Sequence, residues 1–220
     1  MKIGVFDSGI GGLSVAGAIE RALPEHEVIF RNDSRHVPYA TRPVAEILSF
    51  VVPIFQALVD DGSSVIVVAC NTVSTTLIDE LRAIFSVPLI AVEPMVKPAA
   101  ELTTAGVIAI CATPNTLNSS RYGVLKDTYA GKLTVLEPDC SDWSTMIEQK
   151  AIDQQVIADR IQEVLEQGAD VIVLACTHYH WIEAEITSLA AGRARIIQPE
   201  ASIIKQLQHV LADLTQAVHL

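Results

Sequence analysis

No stretch of this sequence is long and apolar enough to cross a bilayer. The longest runs, such as Val65 to Cys70, fall far short of the about 20 residues a spanning helix needs. Positive charge is scarce as well: 15 Lys and Arg face 26 Asp and Glu, for a net charge of −11, and no Lys/Arg cluster interrupts that balance. An acidic surface repels nucleic acid and anionic membrane surfaces, so neither is expected as a partner. An anionic ligand would need local positive potential, as at helix N-termini. CxxC spacing is missing among the four cysteines, Cys70, Cys111, Cys140 and Cys176, which argues against a zinc knuckle or a thioredoxin-like site, and no metal site is expected. In a reducing compartment these are free thiols. The turn Asp7-Ser8-Gly9-Ile10-Gly11-Gly12 has neither GxGxxG spacing nor a Walker Lys-Ser/Thr, so as a nucleotide signal it is weak. It serves equally to let a strand turn into a helix. The sequence opens on Met1-Lys2-Ile3-Gly4-Val5-Phe6-Asp7, a strand pattern without the apolar core of a signal peptide, and the expectation is an intracellular, cytoplasmic chain.

What is present is a compact composition. Half of the 220 residues are hydrophobic and only 19% are charged, enough apolar material for one large core or two smaller ones. Short Val- and Ile-rich runs flanked by turn residues read as buried strands at 3–6, 65–69, 89–92, 107–111, 133–136, 171–175 and 195–197. Amphipathic stretches read as helices at 12–22, 44–61, 75–85, 119–129, 153–167, 183–190 and 201–214. Gly62 and Gly168 stand where helix C-caps belong. Strands alternating with helices predict an α/β fold with parallel sheets and right-handed crossovers.

The chain also repeats itself. Gly62-Ser63-Ser64-Val65-Ile66-Val67-Val68-Ala69-Cys70-Asn71-Thr72 aligns with Gly168-Ala169-Asp170-Val171-Ile172-Val173-Leu174-Ala175-Cys176-Thr177-His178, an offset of 106 residues. The same offset lays 3–7 on 109–113 and brings 89–92 near 195–198. Two flavodoxin-like parallel-sheet domains related by duplication about a pseudo-two-fold explain this. Residues 1–94 with 200–220 would form the first and 95–199 the second, the last helix packing back onto the first half. Ligands of parallel sheets bind outside the carboxyl ends of the strands. Those ends carry Asp7-Ser8-Gly9, Cys70-Asn71-Thr72, Thr113-Pro114-Asn115-Thr116 and Cys176-Thr177-His178, and a cleft between the two domains would set the two thiols opposite each other.

Two opposed thiols suit inversion of a stereocentre. One base per face removes the proton from one side and delivers another to the opposite side, with the roles exchanged for the other enantiomer. A free thiol has a pKa of roughly 8.5, so charge or a helix dipole is needed to favour the thiolate. Cys70 and Cys176 both precede expected helix N-termini, whose N–H groups can also hold a carboxylate. Asp7 is placed on the Cys70 side and His178 on the Cys176 side. Ser8, Asn71, Thr72, Thr113, Thr116 and Thr177 offer hydrogen bonds without net charge, as a zwitterionic substrate requires. An isolated cysteine at a strand end is usually a small core residue. The polar triplet after each of these two and the acid after the first strand set them apart. Cys111 and Cys140 are read as core, and His26 and His36 as ordinary surface or loop residues.

These motifs resemble those of the glutamate racemases within the aspartate/glutamate racemase superfamily. The resemblance is carried by Val5-Phe6-Asp7-Ser8-Gly9-Ile10-Gly11-Gly12, Val37-Pro38-Tyr39, Ala69-Cys70-Asn71-Thr72, Thr113-Pro114-Asn115-Thr116, Glu148 and Cys176-Thr177-His178-Tyr179, and runs to about Leu211. It implies interconversion of L- and D-glutamate without pyridoxal phosphate or any other cofactor, D-glutamate for peptidoglycan, and a homodimer. By the same resemblance Cys70 and Cys176 are the bases, Asp7, Glu148 and His178 assist, and Ser8, Tyr39, Ala40, Asn71, Thr72, Thr113, Thr116 and Thr177 contact substrate. The sequence departs from the pattern at Ala40 and Ala175, where glycine is usual, at His180, Trp181 and Gln198, and in the polar stretch Ser141–Thr145. It ends at Leu220, before the final strand and helix the resemblance leads one to expect. An aspartate or broad-specificity amino-acid racemase, a non-catalytic ligand-binding homologue and a flavin- or nucleotide-binding protein remain as alternatives.

Overall fold

A computed structural model describes residues 1–218, with side chains described through residue 216. Residues 219 and 220 of the expected segment 200–220 lie outside the described residues. Among the described residues eight strands form two four-stranded, all-parallel sheets. The first contains β1 (Lys2–Asp7), β2 (Glu27–Asn32), β3 (Val65–Val68) and β4 (Leu89–Ala91) in the order β2-β1-β3-β4. The second contains β5 (Val107–Ala112), β6 (Thr134–Leu136), β7 (Val171–Ala175) and β8 (Arg195–Ile197) in the order β6-β5-β7-β8. The two orders are the same, as a duplication requires.

Register refines that duplication. Val67 and Val173 lie 106 residues apart, but their partners on the first strand of each sheet are Val5 and Ile110, 105 apart. A constant offset of 106 therefore misplaces the first strand by one residue. Asp7 matches Ala112 rather than Thr113, and Ser8 matches Thr113. The chemistry agrees, since both members of the second pair are hydroxyl residues just beyond a strand end.

Each sheet is covered on both faces, which is why β3 and β7 are apolar throughout rather than alternating. One face of the first sheet packs on Ile47, Val51, Phe55 and Leu58 of the helix Val44–Asp60. The other packs on Val15 and Ile19 of the helix Leu13–Ala22 and on Ile203, Leu207 and Leu211 of the last helix, Glu200–Val218. The chain's last helix thus returns to the first half.

Two expectations are corrected. β2 was not expected; it is an edge strand with only Val28, Ile29 and Phe30 as an apolar centre, all half-buried. The helix expected at 75–85 is two helices, Asn71–Thr76 and Ile78–Ile84, broken at Leu77. The hydroxyls of Thr75 and Thr76 donate back to the carbonyls of Asn71 and Thr72, a side-chain competition that ends the first helix early.

Candidate active site

The ends of β1, β3, β5 and β7 converge on one cavity of about 270 Å3 between the halves. Ligand pockets run to about 300–1,000 Å3, so this is room for a small molecule. Ser8, Tyr39, Ala40 and Thr72 wall it from the first half. Thr113, Glu148, Cys176 and His178 wall it from the second. Asp7, Cys70, Asn71, Thr116 and Thr177 do not line it; all five are buried, Cys70 bonded to Ser8, Thr116 to Thr113, and Asp7 to Thr177.

Asp7 anchors the seam. Its Oδ2 accepts hydrogen bonds from the N–H groups of Gly9 at 3.1 Å and Gly12 at 2.9 Å, and its Oδ1 accepts from the Thr177 hydroxyl at 3.0 Å. The glycine-rich turn is therefore a cradle for a carboxylate of its own chain, not for a phosphate. Complete burial raises the Asp7 pKa, against the pull of His178 and these donors. Asp7 is not confined to the Cys70 side as expected, since Thr177 ties it to the second half as well.

Cys70 caps the helix Asn71–Thr76, and its thiol donates to Ser8 Oγ at 3.5 Å. The helix N-terminus acts toward the thiolate as expected, through the Val73 N–H, but is outweighed. Burial first, and the Asp7 carboxylate second, push its pKa up to about 12 despite the Val73 N–H and the Ser8 hydroxyl. Cys176 is followed by a 3-10 segment, Thr177–Ile182, not by the α-helix expected there. Its Sγ lies 3.8 Å from His178 Nδ1, while His178 Nε2 lies 2.7 Å from Glu148 Oε1. Glu148 Oε1 also accepts from the Ile10 N–H at 2.7 Å, and these donors hold its carboxyl below the usual range although burial opposes that.

For His178, burial disfavours the charged ring, but Cys176, Glu148 and Asp7 outweigh it and push the pKa up to about 10. A histidine raised in this way stabilises the fold fully below its ordinary pKa of 6.5, and the contribution is lost as pH rises through about 10. The melting temperature is therefore expected to fall between pH 6.5 and 10, with His178→Asn removing most of that fall. The same fall in the variant as in the wild type would contradict this. Among the described residues no group of three or more His, Cys, Asp and Glu side chains is disposed to hold a metal ion.

Hydroxyls and amides join the halves across the cavity. Thr72 Oγ1 and Thr113 Oγ1 are 2.9 Å apart, and Thr113 in turn donates to Thr116 Oγ1 at 3.0 Å. Asn115 Nδ2 donates to the carbonyls of Tyr39 at 2.7 Å and Arg42 at 3.0 Å, and its N–H to the carbonyl of Ala40 at 3.0 Å. Ala40 needs no glycine: the non-glycine residues with positive φ are Lys150 and Ala191. Asn71 is 3% exposed, yet among the described residues both polar atoms of its side-chain amide lack a partner. Leaving such a group unsatisfied costs about 1–3 kcal/mol.

The cavity also has walls that sequence reasoning missed. Ser34, Ser144, Thr145 and Gln149 line it. The last three sit on or just after the helix Trp143–Glu148, a six-residue element too short to show periodicity. His36 is more than a loop residue. Its ring stacks on Phe50 at 3.9 Å and its Nδ1 bonds Asp33, whose carboxylate accepts the Tyr39 hydroxyl at 2.6 Å. Among the described residues neither Lys nor Arg lines the cavity.

Residues 3–207 match the model of the Asp/Glu/hydantoin racemase family. The chain is 35% identical over 216 residues to a glutamate racemase of Pseudomonas entomophila, covering 96% of this chain and 82% of that protein. A glutamate racemase of Methylococcus capsulatus is 34% identical, with 95% and 79% covered. The fold superimposes on the Escherichia coli glutamate racemase solved with L-glutamate and an activator, with a TM-score of 0.89 at 29% identity over 96% of this chain and 82% of that one. An aspartate racemase of Picrophilus torridus shares the fold alone, at 17% identity and a TM-score of 0.59 over 93% of both chains. With two like sheets, one cleft, and a cysteine at the same strand end in each half, the chain belongs to the Asp/Glu/hydantoin racemase family, among the glutamate racemases.

Proposed function

We propose that the chain interconverts L- and D-glutamate without a cofactor, with Cys70 and Cys176 as the two acid/base groups. The observation that carries this reading is their placement. They follow equivalent strands of the two sheets; Cys176 is in the cavity wall, and Cys70 is hydrogen-bonded to Ser8, which is also in the wall.

The reaction needs one thiol and one thiolate. In the sense where Cys176 starts as thiolate, its sulfur takes the α-proton and the C–H electron pair stays on Cα, delocalised into the carboxylate. Cys70 then delivers its own proton to the opposite face. Cys176 ends as thiol and Cys70 as thiolate, which is the starting state for the reverse reaction. The high pKa of Cys70 suits the donor role in this sense. The His178 imidazolium beside Cys176 Sγ supplies the positive charge that a sulfur anion needs, and Glu148 orients that ring. Glutamate adds two carboxylates to a cavity without Lys or Arg. Neutral donors must therefore hold them: the Ser8 hydroxyl, whose oxygen accepts from Cys70 and whose own proton is free, the Asn71 amide, and the backbone N–H groups of Tyr39 and Ala40. The Thr72, Thr113 and Thr177 hydroxyls, whose protons go to Thr113, Thr116 and Asp7, join this set by turning from those partners to the substrate. Thr116 supports this set through Thr113.

Incubating the pure protein with L-glutamate, L-aspartate or L-alanine and following circular dichroism tests the assignment. Signal loss with glutamate alone, without added pyridoxal phosphate, is expected. Loss with aspartate or with several amino acids would mean the broader racemase, and no loss with any would mean a binding protein. The cytoplasmic homodimer, the supply of D-glutamate for peptidoglycan, and the division into 1–94 with 200–220 and 95–199 belong to the same reading. Light scattering tests the dimer.

A further inference from the structure

Beside the cavity, one polar cluster is enclosed at the junction of three segments. His180 lies in the segment Thr177–Ile182 that also carries His178, and its side chain is 2% exposed. Its Nδ1 lies 2.9 Å from Ser14 Oγ, on the helix Leu13–Ala22, and 3.6 Å from Glu200 Oε1, at the start of the last helix.

With the Ser14 hydroxyl donating to the Gly11 carbonyl at 3.0 Å, Ser14 Oγ accepts from His180, and the hydrogen is assigned to Nδ1, which also faces the Glu200 carboxylate. Gly11 is also where Thr177 and His178 rest. A Cβ on Gly11 would stand 2.6 Å from both the His178 backbone nitrogen and Thr177 Oγ1. The segment bearing His178 is therefore held to one turn at two points: by contact at 177–178, and by the hydrogen-bonded chain His180–Ser14–Gly11.

We propose that His180 is a positioning residue for the racemisation, holding His178 beside Cys176 through Ser14 and Gly11. The inference rests on the racemase reading of the cavity. His180 Nε2 is buried and has no partner among the described residues. An apolar side chain would fill the same space without leaving that nitrogen bare, so what the ring contributes is its Nδ1–H bond.

Four variants test this: His180→Leu, His180→Asn, Ser14→Ala and, as a control on the neighbouring exposed side chain, Trp181→Ala. The readouts are kcat, KM and the α-deuterium isotope effect with each enantiomer. His180→Leu and Ser14→Ala are expected to lower kcat about 10- to 100-fold, with KM little changed. The isotope effect should rise for the enantiomer that gives its proton to Cys176 and stay near the wild-type value for the other. His180→Asn, whose amide N–H can replace Nδ1–H, should recover most of the rate, and Trp181→Ala should match the wild type. A lower melting temperature with unchanged kcat, equal isotope-effect changes for both enantiomers, or an Asn variant no better than Leu would overturn the proposal. If His180→Leu does not fold, Ser14→Ala, which removes one hydroxyl, decides it by the same readouts. Normal wild-type turnover with unaltered variants overturns this inference alone, whereas a wild type that racemises nothing overturns the cavity reading and this inference with it.

Discussion

Replacing either Cys70 or Cys176 by serine is expected to cut kcat/KM for glutamate racemisation by about 10²–10⁴-fold, the share that a positioned acid or base contributes. The loss must be the same in both directions. The ratio of forward to reverse kcat/KM equals the equilibrium constant, which is unity for enantiomers. Both sulfurs are buried, Cys176 in the cavity wall and Cys70 bonded to Ser8 of the opposite wall, so neither can substitute for the other on its face. Serine keeps the shape and nearly the volume but lacks an accessible anion. Circular dichroism with L- and with D-glutamate measures the two directions. Normal turnover by either variant would remove that thiol from the mechanism. Cys111→Ser and Cys140→Ser should act on stability rather than turnover, since both thiols are core members of the second half.

Gly11→Ala is the second large expectation, and it involves no titrating group. The added methyl would meet the His178 backbone nitrogen and Thr177 Oγ1, each at 2.6 Å, and His178 Nδ1 at 2.8 Å. A flexible side-chain tip can swing away from such a contact; a backbone nitrogen cannot. The variant must therefore move the Gly11 turn and the Thr177–His178 segment apart. Overpacking of this kind costs about 1–3 kcal/mol of stability. Displacing His178 from Cys176 by even 1 Å should cost about 10²-fold in kcat. Gly9→Ala is the informative comparison, because its methyl would fall on the Glu148 carboxylate, a movable group. It should lose activity through the Glu148–His178 bond while retaining more stability than Gly11→Ala. Thermal melts and initial rates check both. Wild-type activity in Gly11→Ala would show that the two halves do not depend on this contact.

The positions that sequence alone made legible share one cause. A buried parallel strand must be apolar on both faces, so Val65–Val68 and Val171–Ala175 stand out as runs, and the polar residues after them mark the sheet ends. The duplication made the equivalence of Cys70 and Cys176 visible without coordinates. What stayed hidden depended on register or on contact across the cleft. β2 lies at an edge and shows no full apolar run. The one-residue shift that pairs Ser8 with Thr113 is set by strand pairing, which the pattern of apolar residues does not encode. Ser144, Thr145 and Gln149 reach the cavity from a helix of under two turns. His36 supports Tyr39 only through Asp33, a link three residues away in sequence that becomes meaningful once the loop closes. The raised pKa of Cys70 was hidden because its first cause is complete burial, which sequence does not give, and because Asp7, expected on that side, was read as a helper and not as a charge that opposes a thiolate.

The most direct test of two sulfurs acting on opposite faces is the fate of hydrogen during racemisation in D2O. L-Glutamate is incubated with the wild-type protein and sampled early, and each enantiomer is isolated for mass analysis. One sulfur removes the α-proton and the other, already exchanged with solvent, delivers a deuteron. The D-glutamate formed should therefore carry one α-deuterium per molecule while the remaining L-glutamate stays protiated. D-Glutamate that keeps the original proton, or deuterium entering both enantiomers at the same early rate, would mean that a single base serves both faces, and would contradict the account.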